Sequence, residues 1–235
     1  MSAHWIDIPT PDGVFQGYLK QPMGGRGPAI LIIQEIFGVN AHIRSVADQY
    51  ALDGFTALAP DLFWRSEPRL ELGYDPDGRT RGIEAMNAIG LPTMTRDLIA
   101  AIDALRKVDG HDGRIVVAGY CLGGTLAYRL AVEQAVDLAI SYYGGGVAKQ
   151  LDDMPKVKVP VQFHFGETDQ SIPMSEVEAV KAAAGARADR AVNVYPGAGH
   201  GFNCSVRASY DQHSAMLAHG RTLQFIAAHL PATDA

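Results

Sequence analysis

Apolar positions along the chain follow two periods. Short uninterrupted runs rich in β-branched residues alternate with longer stretches in which apolar residues recur every three or four positions. The first pattern reads as strands covered on both faces and the second as amphipathic helices. Their alternation predicts a parallel sheet flanked by helices. The strand-like runs are Ala29–Ile33, Phe55–Ala59, Ile115–Ala118, Leu138–Tyr142, Val161–Phe165 and Val192–Tyr195. Ile6–Ile8 and Val14–Leu19, separated by Pro11-Asp12-Gly13, predict an antiparallel hairpin at the sheet edge. Helices are expected over about His42–Leu52, Thr93–Lys107, Leu122–Glu133 and Ser209–His229, with Gly54 in the left-handed position that closes the first. Ser175-Glu176-Val177-Glu178 predicts a capping box opening another helix that ends near Gly185. Residues 64–92 are polar and broken by Gly and Pro, and predict a loop with one short helix. No repeat, linker or low-complexity segment interrupts the series, so one doubly wound α/β domain over residues 1–235 is expected.

Composition narrows the class of function. The chain is 47% hydrophobic and 20% charged, ordinary for a globular protein with a substantial core. With 26 acidic and 20 basic residues the formal net charge is -6, which argues against nucleic acid and anionic membrane surfaces as partners. No run approaches the roughly 20 apolar residues that span a bilayer. The opening Met1-Ser-Ala-His-Trp-Ile-Asp-Ile lacks the basic and apolar regions of a signal peptide. The two cysteines, Cys121 and Cys204, are not needed as a disulfide in a chain of this size, so the cytoplasm is the expected compartment. A monomer is the default reading of the oligomeric state.

The strongest chemical signal is Gly119-x-Cys121-x-Gly123, with Gly124 behind it, between a predicted strand and a predicted helix. A nucleophile on such a sharp turn is pushed out at the mouth of the sheet, and its neighbours must be small because the backbone crowds itself. The following helix aims free N–H groups and its positive dipole end at the site, which favours thiolate and can hold an oxyanion. A buried cysteine in an ordinary βα turn would look the same, and the five residues alone leave both readings open. Context favours the nucleophile. Asp169 follows the strand Val161–Phe165, and His200 follows Val192–Tyr195, in the order nucleophile, acid, base of α/β-hydrolases. His200 would carry the thiol proton and Asp169 would fix the imidazole, with Glu167 as the competing acid. A thiolate is a good leaving group, so the arrangement suits esters and lactones better than amides. After the strand Ala29–Ile33 comes Gln34-Glu35-Ile36-Phe37-Gly38-Val39-Asn40, whose Ile36 N–H is read as one oxyanion donor and that of Leu122 as the other. Glu35 is either turned to solvent or, inside a cleft, a second proton acceptor for Cys121. The other histidines show no metal-ligand spacing and most are read as surface residues.

Together, Gln34-Glu35-Ile36-Phe37-Gly38-Val39-Asn40, Pro60-Asp61-Leu62, Gly119-Tyr120-Cys121-Leu122-Gly123-Gly124, Tyr142-Tyr143-Gly144, Asp169, Gly199-His200-Gly201-Phe202 and Arg221-Thr222-Leu223 resemble the dienelactone hydrolase (carboxymethylenebutenolidase) family over nearly the whole chain. The resemblance implies an α/β-hydrolase fold and a Cys-His-Asp triad that hydrolyses dienelactone to maleylacetate in the catabolism of chlorinated aromatics, without metal or cofactor. It implies that Glu35 binds the resting thiol until a substrate-bound arginine draws it away. Arg81 matches that arginine, with Arg79 the alternative, and Phe37 and Tyr143 are read as substrate contacts. One departure stands out: family members acting on dienelactone carry a second substrate-carboxylate arginine four residues after the histidine, where this chain has Cys204 and the nearest arginine is Arg207. Losing that bidentate partner weakens recognition of a carboxylate; either Arg207 compensates from the next turn or the substrate differs, so a small lactone or ester is expected, with the need for a carboxylate left open. The rival reading is a small-molecule binding or thiol-redox module on the same fold.

Overall fold

The computed structural model describes residues 3–24 and 27–231. Met1 and Ser2, part of the stretch read above for an export signal, lie outside the described residues. The chain divides into two compact units, one ending at Val117 and the other beginning at Ala118. The boundary falls inside a strand, β5 (Ile115–Tyr120).

In the first unit, β1 (His4–Thr10) and β2 (Gly13–Lys20) form the expected antiparallel hairpin, with Thr10 opposite Gly13. β2 also pairs antiparallel with β4 (Thr56–Pro60), which pairs in parallel with β3 (Ala29–Ile33), giving the order β1-β2-β4-β3. Every residue of β3 and β4 is buried, as their unbroken apolar runs require. Helix α1 (Ala41–Leu52) is capped by Asn40, whose Oδ1 accepts the Ile43 N–H at 3.2 Å.

The stretch 64–92, expected as a loop with one short helix, contains a 14-residue helix instead, α2 (Pro76–Ile89). Its start carries the usual signals. Asp75 accepts the Gly78 N–H at 2.7 Å, and Pro76 takes the first helical position, where no N–H is missed. Gly78 and Gly82, read as breakers, serve close packing. A Cβ at Gly78 would run into the Gly73 carbonyl, and one at Gly82 into the Ile36 carbonyl. Helix α3 (Leu91–Leu105) follows directly.

In the second unit, β5 leads into α4 (Leu122–Val132), and β6 (Leu138–Tyr142), β7 (Val161–Gly166) and β8 (Arg190–Tyr195) continue the order β5-β6-β7-β8. The β6/β7 and β7/β8 pairs are parallel. β7 shows why helices are needed on both of its faces. Phe163 packs on Tyr128 of α4, while the next residue, His164, meets Thr222 of α6 (Gln212–His229). A 3₁₀ stretch, Val147–Lys156, joins β6 to β7. Helix α5 (Met174–Ala184) corrects a second expectation: it begins before Ser175, with Pro173 as its cap residue and no side-chain cap, so the Ser175–Glu178 capping box does not form. The Pro173 carbonyl takes the Glu176 N–H at 2.9 Å, which fixes the earlier start. Among the described residues no helix is long and apolar enough to cross a membrane.

Candidate active site

Cys121 sits between β5 and α4 with φ 56° and ψ -112°, a left-handed backbone that a non-glycine residue adopts only under constraint. The constraint comes from crowding. A Cβ on Gly119 would collide with the Gly123 backbone, and one on Gly124 with the Tyr142 carbonyl. The Cys121 N–H donates to that same carbonyl at 3.0 Å, tying the turn to the end of β6. The Cys121 carbonyl accepts the N–H groups of Gly124 and Thr125 and so begins helix α4. The thiol is half-buried at the helix N-terminus.

The loop after β7 supplies Asp169. Its Oδ1 accepts the N–H groups of Ser171 at 2.7 Å and Ile172 at 3.2 Å, and its Oδ2 lies 2.8 Å from His200 Nδ1. The carboxylate is fully buried, and three hydrogen bonds replace the water it has lost. His200 comes from the loop after β8. Burial disfavours its imidazolium, but hydrogen bonds to Asp169 and to Cys121, with the electrostatic pull of both, outweigh that and push the group up to about 10. His200 thus joins Asp169 on one side and Cys121 on the other, and the structure brings the three residues together.

The two loops are stitched to each other. Thr168 N–H donates to the Ala198 carbonyl, the Thr168 hydroxyl donates to the same strand of backbone, and the Gly197 N–H donates to Glu167 Oε2 at 2.9 Å. Glu167, the competing acid, is therefore spent on holding the histidine loop. Tyr143 is buried at φ 38°, with its ring edge-on to His200 at 5.1 Å between centroids, and its N–H donates to the His164 carbonyl at 2.8 Å. Cys204 is fully buried, one turn after His200, with its N–H on the Gly201 carbonyl. Arg207 lies with its guanidinium packed where a Cβ of residue 201 would stand, and the φ of 74° at Gly201 is one that favours glycine.

In the first unit, Glu35 is fully buried rather than turned to solvent. Gln34 spans its loop, accepting the Leu62 N–H at 3.2 Å. Phe37 is nearly buried against Tyr74, with ring centroids 4.5 Å apart, and Asn40 Nδ2 donates to the Tyr74 hydroxyl at 3.1 Å. The Ile36 carbonyl faces Gly82 of α2, the helix that also carries Arg79 and Arg81. Arg79 is exposed, and Arg81 makes an exposed ion pair with Glu67 at 3.3 Å.

Two histidines are exceptions to the expectation that most of the others lie at the surface. His42 and His164 are buried, not surface residues. His164 lies in an all-buried strand, and that position alone could have flagged it. The sequence carries no local signal for Tyr74, which backs Phe37, because its partners stand more than 30 residues earlier. Among the described residues no group of three or more His, Cys, Asp or Glu side chains could hold a metal ion.

Residues 15–230 match the model of the dienelactone hydrolase family. The chain is 35% identical over 229 residues to a carboxymethylenebutenolidase of Pseudomonas putida, covering 97% of each chain. It is 32% identical over 216 residues to carboxymethylenebutenolidase 1 of Cupriavidus pinatubonensis, covering 92% of each. Among solved structures, it superposes with a TM-score of 0.86 on a Klebsiella pneumoniae protein described as a candidate dienelactone hydrolase, at 28% identity over 96% of this chain and 98% of the other.

Proposed function

The chain belongs to the dienelactone hydrolase family of α/β-hydrolases, which makes it an ester or lactone hydrolase, and we propose that Cys121 is its nucleophile. The observation that carries the proposal is the hydrogen-bonded series Asp169–His200–Cys121 at the start of α4.

In the proposed reaction His200 holds the proton that the Cys121 thiol gives up, and Cys121 Sγ attacks the acyl carbon as the thiolate. The carbonyl oxygen gains the electron pair and is held by backbone N–H groups, those of Leu122 and Ile36 in our reading. Collapse of this intermediate re-forms the carbonyl, breaks the bond to the ring or alkoxy oxygen, and leaves a thioester. His200 hands its proton to the departing oxygen. Water then attacks the thioester with His200 as base, which releases the carboxylic acid and restores the thiol. Asp169 stays ionised throughout and stabilises the imidazolium.

The substrate class is a small lactone such as a dienelactone, as the carboxymethylenebutenolidases are named for, from the breakdown of aromatic compounds. A free thiol nucleophile suits a reducing compartment, which supports the cytoplasm as its place of action. From the resemblance, Glu35 guards the resting thiol, Arg81 or Arg79 is the cation drawn to an anionic substrate, and Phe37 and Tyr143 line the path of the acyl group.

The test is a panel of dienelactones, neutral lactones and aryl esters, assayed on wild type and Cys121→Ala, with acyl-enzyme trapped for mass spectrometry. An adduct of acyl mass on Cys121 and a dead Cys121→Ala variant are expected. Turnover near wild-type rate in Cys121→Ala sinks the proposal, as does peroxide-dependent sulfenylation of Cys121 without turnover of any ester. For the guard, iodoacetamide should alkylate Cys121 slowly in wild type and at least tenfold faster in Glu35→Gln; equal rates would dismiss it.

A further inference from the structure

A polar chain runs through the core of the second unit beneath the elbow. The Arg221 guanidinium hydrogen-bonds the Tyr195 hydroxyl, with its carbon 5.2 Å from the ring centroid. Tyr195 Oη lies 2.7 Å from His164 Nδ1, His164 Nε2 lies 3.1 Å from Thr222 Oγ1, and Thr222 Oγ1 lies 2.8 Å from Tyr142 Oη. These groups come from α6, β8, β7 and β6, and His164, Thr222 and Tyr142 are completely buried. The rings are also stacked. Tyr120 on Tyr142, Tyr142 on His164 and His164 on Tyr195 have centroid separations of 4.7, 4.4 and 5.8 Å, all within 25° of parallel.

Arginine can only donate, so Tyr195 accepts from Arg221. A hydroxyl oxygen can accept twice, so the rest of the chain closes in either of two concerted senses: Tyr195 gives its proton to His164 Nδ1, His164 Nε2–H donates to Thr222 and Thr222 to Tyr142, or every one of these bonds is reversed. Burial, with the nearby Arg221 charge, pushes His164 down to about 3, so it stays neutral, a donor at one ring nitrogen and an acceptor at the other.

The last members of the chain form the seat of the candidate active site. Tyr142 and His164 are directly paired across β6 and β7. The Tyr142 carbonyl takes the Cys121 N–H, and the His164 carbonyl takes the N–H of Tyr143, whose ring stands edge-on to His200. Cys121 and Tyr143 both hold left-handed backbones, φ 56° and φ 38°, which persist only where the surroundings over-determine them. A fully satisfied buried network fixes one geometry more tightly than an apolar cluster would.

We propose that the chain Arg221–Tyr195–His164–Thr222–Tyr142 is a positioning device that holds the Tyr142–Tyr143 peptide, and through it the alignment of Cys121 with His200. The idea rests on Cys121 being the nucleophile. Thr222 and His164 act through the seat, touching no substrate, and are positioning residues.

The test replaces Thr222 on the full-length enzyme, reading kcat and KM on an aryl ester, the iodoacetamide rate of Cys121, and the melting temperature. Thr222→Val keeps the volume and strands His164 Nε2 and the Tyr142 hydroxyl; Thr222→Ser restores the hydroxyl. We expect Thr222→Val to lower kcat tenfold or more with KM within twofold, and Thr222→Ser to recover kcat to within threefold of wild type. An unchanged kcat per folded molecule in Thr222→Val, whatever its melting temperature, overturns the proposal. So does a loss that Thr222→Ser fails to repair. If Thr222→Val does not fold, Arg221→Met at the half-exposed end removes the donor to Tyr195 while keeping an apolar stem. A kcat loss of threefold or more then supports the idea and an unchanged kcat rejects it. Cys121→Ala run alongside separates the two readings: its activity sinks the nucleophile, whereas a dead Cys121→Ala with a fully active Thr222→Val sinks the positioning device alone.

Discussion

Gly82 of α2 lies against the carbonyl oxygen of Ile36 so closely that no methyl group fits between them. The helix carrying Arg79 and Arg81 is thereby docked on the residue whose N–H we assign to the oxyanion. Gly82→Ala should gain up to about 1 kcal/mol of helix propensity and lose about 1–3 kcal/mol to overpacking, so a net destabilisation is expected. Gly220, inside α6, is the control: nothing stands within 4 Å of its would-be Cβ. Gly220→Ala should therefore raise stability by about 0.5–1 kcal/mol. Urea unfolding of both variants decides it, and equal shifts would show that crowding at Gly82 is not felt.

Asp169→Asn keeps the shape of the acid but removes its charge, and its amide can present an N–H where Nδ1–H of His200 now donates. The expected loss in kcat is about 10²- to 10⁴-fold, with KM little changed. Loss of less than tenfold in steady-state assays would show that His200 does not depend on this carboxylate.

His200 binds its proton more tightly in the folded chain, at about 10 against an ordinary 6.5. The sign follows directly: its contribution to stability is complete below pH 6.5 and is lost as pH rises through 10. Wild type should therefore lose up to about 1.4 kcal/mol per pH unit from this site across that window. His200→Gln should lack that loss. Denaturant midpoints of the two proteins at pH 6, 8 and 9.5 check it, and parallel pH curves would contradict the assignment.

His164 behaves in the opposite sense, held near 3 by burial and the Arg221 charge. Its contribution is complete above pH 6.5 and is lost as pH falls toward 3, because only the unfolded chain takes up the proton. His164→Phe keeps a stacking ring and should flatten the acid limb of the stability curve. An acid limb as steep as in wild type would show that His164 is protonated without unfolding.

The strands could be read from the sequence because Ala29–Ile33, Leu138–Tyr142 and the Val161 strand are buried on both faces and so carry no polar break. Asp169 stands out because it follows such a strand, and His200 because it follows β8, an apolar run that is only partly buried. Helix α2 was not, since Gly78 and Gly82 answer to the carbonyls of Gly73 and Ile36, crowding that no local pattern displays. The cap of α5 was misread because Pro173 serves through its carbonyl, and side-chain preferences say nothing about that. His164 looked like another surface histidine because its hydroxyl partners, Tyr195 and Thr222, lie 31 and 58 residues away.

The stitching between the Glu167–Asp169 and Tyr195–Ala198 segments has a bearing on redesign. Backbone and side-chain hydrogen bonds lock the two loops in register, and Gly166 admits the Ala198 carbonyl only because it lacks a side chain. An insertion in either loop would be transmitted to both acid and base at once. Libraries meant to alter which esters are accepted should therefore keep these two loops at fixed length and spend their diversity elsewhere, for example at the exposed residues Arg79 and Arg81 of α2.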